Sequence, residues 1–284
     1  MYFCQMFLQM MKKAILLAAV LMLTVSCGEY QELLKSDDSG KKYSYAEQLY
    51  NEAQEEGDKR KYRKALRLFE QIVPEYRGKP QGEKLSFLFA NTYYELGDYY
   101  LSSYEFERFQ QSYPNSEKVE EAAFKKARSF YELSPSYALD QTDTDKAVAE
   151  LQAYLNTYPE GEHVEEANDM AAELRIKLEK KEYEIAKQYH LTGEARAGNY
   201  RAAITSFTNF LANNPGSPFR EGAHYYRFDS AYQLAVNSFR DLMEERLREA
   251  LEFYQTYKKY YPEGEYIEPM EASVEDIKSR LQNF

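Results

Sequence analysis

The chain contains no tryptophan among its 284 residues, and its two cysteines, Cys4 and Cys27, both stand at the amino end. From residue 28 onward there is therefore no thiol to serve as a nucleophile and no disulfide to close a loop. Histidine is also sparse: His163, His190 and His224 are scattered, and none has a second histidine one helical turn away to form a zinc pair. The chain lacks a Gly-rich phosphate loop and a Gly-x-Ser-x-Gly elbow. Adjacent carboxylates such as Glu120-Glu121, Glu165-Glu166 and Glu244-Glu245 diverge on a helix and read as solvated faces, not as an acid–base pair. These absences argue against an enzyme, and no cofactor or metal is expected. Cations are in deficit, 36 Lys plus Arg against 47 Asp plus Glu, with no long basic run. That makes nucleic acid a poor partner and argues against adsorption of the folded part to anionic lipid.

Only one sizeable apolar run is present. Lys12-Lys13 precede Ala14 to Leu23, and Thr24-Val25-Ser26-Cys27-Gly28 follow. A run of this length is too short to span a bilayer as a stable helix, which takes about 20 apolar residues. A basic start, a short apolar stretch and small residues before a cut site predict a cleaved signal peptide over 1–26. The stretch resembles a bacterial lipoprotein signal, in which Cys27 becomes the acylated first residue, although Thr24 stands where that pattern favours Leu. Acyl chains contributing about 0.8 kcal/mol per CH₂ would hold such a chain on a membrane. Met10 or Met11 reads as the true start, which leaves 1–10 as an upstream extension. Removing 1–26 takes away only Lys12 and Lys13, for a formal charge of −13. Residues 27–44, with Ser36-Asp37-Asp38-Ser39-Gly40, read as a flexible tether.

Beyond the tether a ladder recurs five times with offsets of 4, 3 and 4 residues and usually a closing proline. It runs Ala65, Phe69, Ile72, Tyr76; then Ser102, Phe106, Phe109, Tyr113, Pro114; then Ala147, Leu151, Tyr154, Tyr158, Pro159. The last two are Ala203, Phe207, Phe210, Asn214, Pro215 and Ala250, Tyr254, Tyr257, Tyr261, Pro262. Such offsets keep the side chains on one helical face, and proline ends the helix because it lacks an N–H and clashes with the preceding turn. The ladder predicts an all-α superhelical array of about five helical hairpins over 45–284, with a closing helix over 271–284. Its residues are read as core. The 28 Tyr suit this design, since Tyr fills helix–helix gaps while its hydroxyl reaches water.

Ala90, Tyr93, Gly97, Tyr99, Ser102, Phe106, Phe109 and Pro114 match the tetratricopeptide pattern. In it, Gly97 supplies a left-handed turn and Asp98 caps the second helix. Spacings of 37, 45, 56 and 47 residues between the unit ends imply insertions, among them an ordered loop over 133–144 and either one long helix or two helices in register over 162–189.

Tyr62, Ala65 and Phe69 close after the tether, Ser134-Pro135 through Asp140-Gln141-Thr142, and Leu174-Arg175 through Lys181, Tyr183, Ile185, Ala186 and Tyr189 carry a wider likeness. With Gly198, Tyr200, Ala203 and Phe207, these residues resemble the BamD family, lipoprotein components of the outer-membrane β-barrel assembly machinery. The resemblance implies a lipid-anchored protein of a Gram-negative outer membrane, facing the periplasm; a monomer within a hetero-complex is expected because a capped array offers no obvious self-pairing face. It implies binding to the periplasmic domains of the barrel-inserting channel through carboxy-terminal repeats and to unfolded barrel precursors near the amino-terminal ones. Arg220, Arg227 and Arg240 are candidates for partner ion pairs, beside the plainer reading of solvated charges. An adaptor for envelope division or polysaccharide export is the alternative; a glycan binder ranks lower, because no Trp is available to stack on sugar rings.

Overall fold

The computed structural model describes residues 28–284, so the signal-peptide and lipidation readings, Cys27 included, lie outside the described residues. Among the described residues there are twelve α-helices, one short 3₁₀ turn and no strand. The chain divides into two compact units, one running to Leu133 and taking in Glu150–Val164, the other made of Ser134–Ala149 with Glu165–Phe284.

The first unit holds α1 (28–35), α2 (Ser39–Glu56), α3 (Lys59–Ile72), α4 (Gly82–Leu96), α5 (Tyr99–Ser112), α6 (Val119–Leu133) and the second half of α7 (Thr142–Thr157). Helices α2/α3 and α4/α5 are antiparallel hairpins, and α6 packs both on α5 and on the end of α7. Each hairpin turn is two residues long because glycine takes the left-handed conformation there, Gly57 at φ +66° and Gly97 at φ +86°. Asp58 caps α3 by accepting from the Arg60 N–H at 2.8 Å. Asp98 stands at the matching place before α5, but its side chain makes no capping hydrogen bond, which corrects the role expected of it.

Proline does not itself stop the chain in mid-helix. In α5, Tyr113 has already left the helix (φ −132°, ψ 58°) while its N–H still reaches Phe109 O at 2.8 Å, and Pro114 follows, exposed. Tyr158-Pro159, Asn214-Pro215 and Tyr261-Pro262 repeat that ending, each proline exposed.

The segment 27–44, expected to be a flexible tether, is helical over 28–35 and from Ser39 onward. Tyr30 and Leu33 are buried, and the Tyr30 hydroxyl donates to Lys64 O at 3.4 Å. The polar composition hid two apolar side chains three residues apart, enough for one face of a short helix to pack on α3.

The second unit holds the first half of α7, then α8 (Val164–Leu191), α9 (Gly198–Asn213), α10 (Arg220–Val236), α11 (Arg240–Tyr260) and α12 (Ile267–Leu281). The 28 residues of α8 form one continuous helix of about 42 Å at 1.5 Å per residue. The loop that precedes α7 is ordered: Gln141 Nε2 donates to Ser136 O and Leu139 O, both at 2.9 Å, and Lys177 reaches Ser134 Oγ at 2.9 Å. Helix α12 closes the last hairpin with Met270, Val274 and Ile277 turned inward.

Candidate partner-binding groove

The first three residues of every ladder are buried, while the fourth, Tyr76, Tyr113, Tyr158, Asn214 or Tyr261, is half-buried at the helix end. Ala65, Phe69, Phe106, Phe109, Ala147, Ala203, Phe207 and Ala250 are all within 1 % of full burial, with Tyr93 of the upstream helix, Tyr154 and Tyr254 close behind. Phe106 and Phe109 meet Phe87 edge-on at 5.7 and 5.5 Å within their hairpin and reach Ala122 of the next. Ser102 is small for a visible reason, since its Oγ lies 3.1 Å from Ser129 Oγ where α5 meets α6.

Two ladder tyrosines do more than fill space. Tyr154 Oη donates to Glu120 Oε1 at 3.1 Å, and the Glu162 N–H donates to the same oxygen at 2.9 Å. Tyr257 repeats this with Glu221 Oε1 at 2.7 Å and the Glu265 N–H at 2.7 Å. In each case a backbone N–H, that of His163 or Tyr266, donates back to the tyrosine oxygen. The glycine of each Tyr-Pro-Glu-Gly segment is required, because a Cβ at Gly161 or Gly264 would run into that tyrosine oxygen and that carboxylate. Glu120 is thus a structural acceptor and not the freely solvated charge its neighbour suggested.

The three histidines are spread over both units. His163 stacks on Phe124 at 4.1 Å. His190 lies between Ser230 Oγ (3.0 Å) and Asp229 (3.4 Å), with its pKa lowered by burial against the pull of Asp229. His224 is buried and held neutral, its pKa pushed down to about 4 by burial and then by Arg227 and Arg220. Among the described residues no cluster of His, Asp and Glu has a metal-binding arrangement.

The arginines proposed for partner contacts are largely committed within their own unit. Arg227 is buried, with its guanidinium stacked over Phe253 at 4.3 Å and Nη2 directed at His224 Nδ1. Arg220 donates to Leu211 O at 2.6 Å and Asn214 O at 3.0 Å, closing the end of α9. Aromatic and carbonyl neighbours, invisible in sequence, take up these cations. Arg240 remains exposed, bonded to Asn283 O and set over the Phe284 ring.

The open concavity of the first unit lies elsewhere. A groove of about 550 Å³ is lined by the first helices of successive hairpins. Its floor is Phe87, Leu88 and Phe109, and its rim carries Lys84, Lys118, Glu83 and Glu121. Asn91, buried on α4, donates to Tyr50 Oη and accepts from Lys125 Nζ. Burial pushes the Lys125 amine down from its usual range and lifts the Tyr50 phenol to about 12. A half-desolvated cation beside an amide and a phenol, over an aromatic floor, favours an extended peptide that offers a carbonyl or carboxylate and apolar side chains. Sequence periodicity points to such a concave face but not to Asn91 or Lys125. Each is one polar residue on a helix of mixed character, and they come together only across the α4–α6 contact.

The family model described as "outer membrane lipoprotein" (YfiO) matches residues 42–197 and 195–283. No curated protein matches the chain in sequence. Among solved structures, a putative kinesin light chain of Podosopora anserina with nearly identical TPR-like repeats is 14 % identical, covering 88 % of this chain and 100 % of its own, at a TM-score of 0.32. A point variant of that protein is 14 % identical over 79 % of this chain and 99 % of its own, at a TM-score of 0.33. A computationally designed self-assembling cyclic homo-oligomer is 16 % identical over 92 % and 96 %, at a TM-score of 0.20. Scores this low bear on neither the arrangement nor the function of this chain. The family match, running through all five hairpins, does: the chain belongs to the YfiO family of outer membrane lipoproteins.

Proposed function

We propose that this chain is the BamD-type scaffold of outer-membrane protein assembly, a non-enzymatic lipoprotein acylated at Cys27 and facing the periplasm. In this reading the groove of the first unit receives an unfolded barrel-precursor segment, and the carboxy-terminal hairpins hold the periplasmic domains of the barrel-inserting channel. The observation that carries it is the groove: an aromatic floor with the buried Asn91 bonded to the half-buried Lys125, in a chain of this family. Alternating apolar and polar residues of a nascent strand suit that lining, because an extended chain puts every second side chain on one face.

The test is a tagged pull-down of the membrane-extracted chain, with mass spectrometry of what accompanies it. Recovery of a large β-barrel protein with repeated periplasmic domains, lost on deleting residues 215–284, is the expected result. Recovery of division or polysaccharide-export proteins without that barrel would replace this reading with a general envelope adaptor. A photo-crosslinker at Asn51, on the groove wall, should capture a denatured barrel precursor.

A further inference from the structure

The net charge conceals a local excess of the opposite sign. Residues 59–67 contain six cations, Lys59, Arg60, Lys61, Arg63, Lys64 and Arg67, and no acid, in a chain where anions outnumber cations. They belong to α3, whose inward face is Tyr62, Ala65, Leu68, Phe69 and Ile72. The spacing places Arg60, Arg63, Lys64 and Arg67 on one stripe, at i, i+3, i+4 and i+7, exposed at the three arginines and half-buried at Lys64, where α1 packs. Lys61 is on a different face and is neutralised by Glu52 at 2.6 Å and Glu56 at 2.7 Å. Arg60 is shared with Asp58 at 3.1 Å. Arg63 and Arg67 are exposed and have no ion-pair partner among the described residues, while Lys64 lies over the Tyr30 ring at 5.3 Å.

This placement does not serve the helix. The first turn of a helix carries partial positive charge and favours acids, yet α3 begins Lys59-Arg60-Lys61. Asp58, Glu52 and Glu56 answer Arg60 and Lys61, which leaves Arg63, Lys64 and Arg67 without an acid on a neighbouring element. The neighbour that bears on them is α1, packed along α3 with Tyr30 at Lys64 and Leu34 O accepting from Gln71 at 3.4 Å. The two helices run in the same direction, so α1 begins toward the Arg60–Arg63 end of the stripe, and Cys27 precedes residue 28 by one peptide bond.

We infer that this stripe of α3, with Arg63, Lys64 and Arg67 at its centre, rests on the anionic phospholipid headgroups of the membrane in which the chain is anchored. The inference rests on the lipoprotein reading: an acyl chain beside this stripe brings it within reach of headgroups, where charge complementarity decides which side of the unit faces the bilayer. The expectation against lipid adsorption was drawn from the average charge of the chain, which this helix departs from. Each cation close to an anionic surface strengthens attachment about fivefold, an effect that fades beyond one Debye length. Three acting together amount to about a hundredfold preference for this orientation at low salt.

The test uses the lipidated mature chain reconstituted into vesicles of phosphatidylcholine alone or with about 30 % phosphatidylglycerol. A water-soluble amine-acylating reagent is applied, and modification is read by mass spectrometry at Lys59 and Lys64, with Lys278 as internal reference. The expected result is at least about threefold slower modification of Lys59 and Lys64 in the anionic vesicles, lost near 0.5 M salt and lost in the Arg63→Glu/Arg67→Glu chain. Equal rates in the two vesicle types overturn the inference, as does protection that ignores lipid charge and salt. A chain that fails to partition into either vesicle refutes the lipoprotein reading instead, so the two failures are told apart. The unmodified chain supplies the primary readout, so the result does not depend on how the variant folds.

Discussion

Acid should loosen the carboxy-terminal unit in part through one buried side chain, His224. His224 sits buried on α10 with Arg227 directed at its Nδ1, and its Nε2 finds no acceptor among the described residues. Tyr260 and Tyr261 flank the ring at 5.7 and 5.9 Å. Protonation would place a third positive charge beside Arg227 and Arg220 without gaining a carboxylate, which is why the ring is held neutral down to about pH 4. An unfolded histidine titrates near 6.5, so below that pH the unfolded chain binds a proton that the folded chain refuses. Stability is therefore unaffected by this group above about pH 6.5 and falls as the pH drops from there to about 4. Linkage gives a loss of about 2 kcal/mol at pH 5 and about 3 kcal/mol below pH 4. Hydrogen exchange of the α10 amides, corrected for intrinsic chemistry, should show about a thirtyfold loss of protection between pH 7 and pH 5 from this source. The His224→Gln chain, neutral throughout, should be spared that component even if it begins less stable. Equal losses in the two chains would refute the reasoning.

Removing the Tyr257 hydroxyl (Tyr257→Phe) leaves Glu221 with one donor and the Tyr266 N–H with none; urea unfolding should show a cost of about 2 kcal/mol. Gly264→Ala strikes the same oxygen pair, so the Gly264→Ala/Tyr257→Phe chain should be destabilised by less than the sum of its parts in a double-mutant cycle. Gly97→Ala forces a Cβ into a left-handed turn at φ +86° and should lower stability by about 1 kcal/mol in the same assay. Lys125→Met should weaken binding of a barrel-precursor peptide about tenfold by fluorescence anisotropy, whereas Lys258→Met, in the other unit, should leave it unchanged.

The ladder was legible in sequence because helix periodicity is a local property. Offsets of 4, 3 and 4 residues with a trailing proline require no knowledge of the rest of the chain, and the five second helices, the turn at Gly97 and the closing helix follow from them. Composition likewise settles the lack of a thiol or disulfide over 28–284, since that depends on which residues exist and not on where they lie. What the sequence could not show were the contacts of side chains whose neighbours lie elsewhere along the chain. Arg220 and Arg227 look like free cations until carbonyls and a Phe253 ring close on them. Glu120 looks solvated until Tyr154, 34 residues on, donates to it. The tether looked flexible because Tyr30 and Leu33 gain their burial only from α3. Local spacing thus determined the helices and their inward faces. Tertiary packing alone decided which charges remained for a partner, because a charge is free or spent only by virtue of what folding brings within about 4 Å of it.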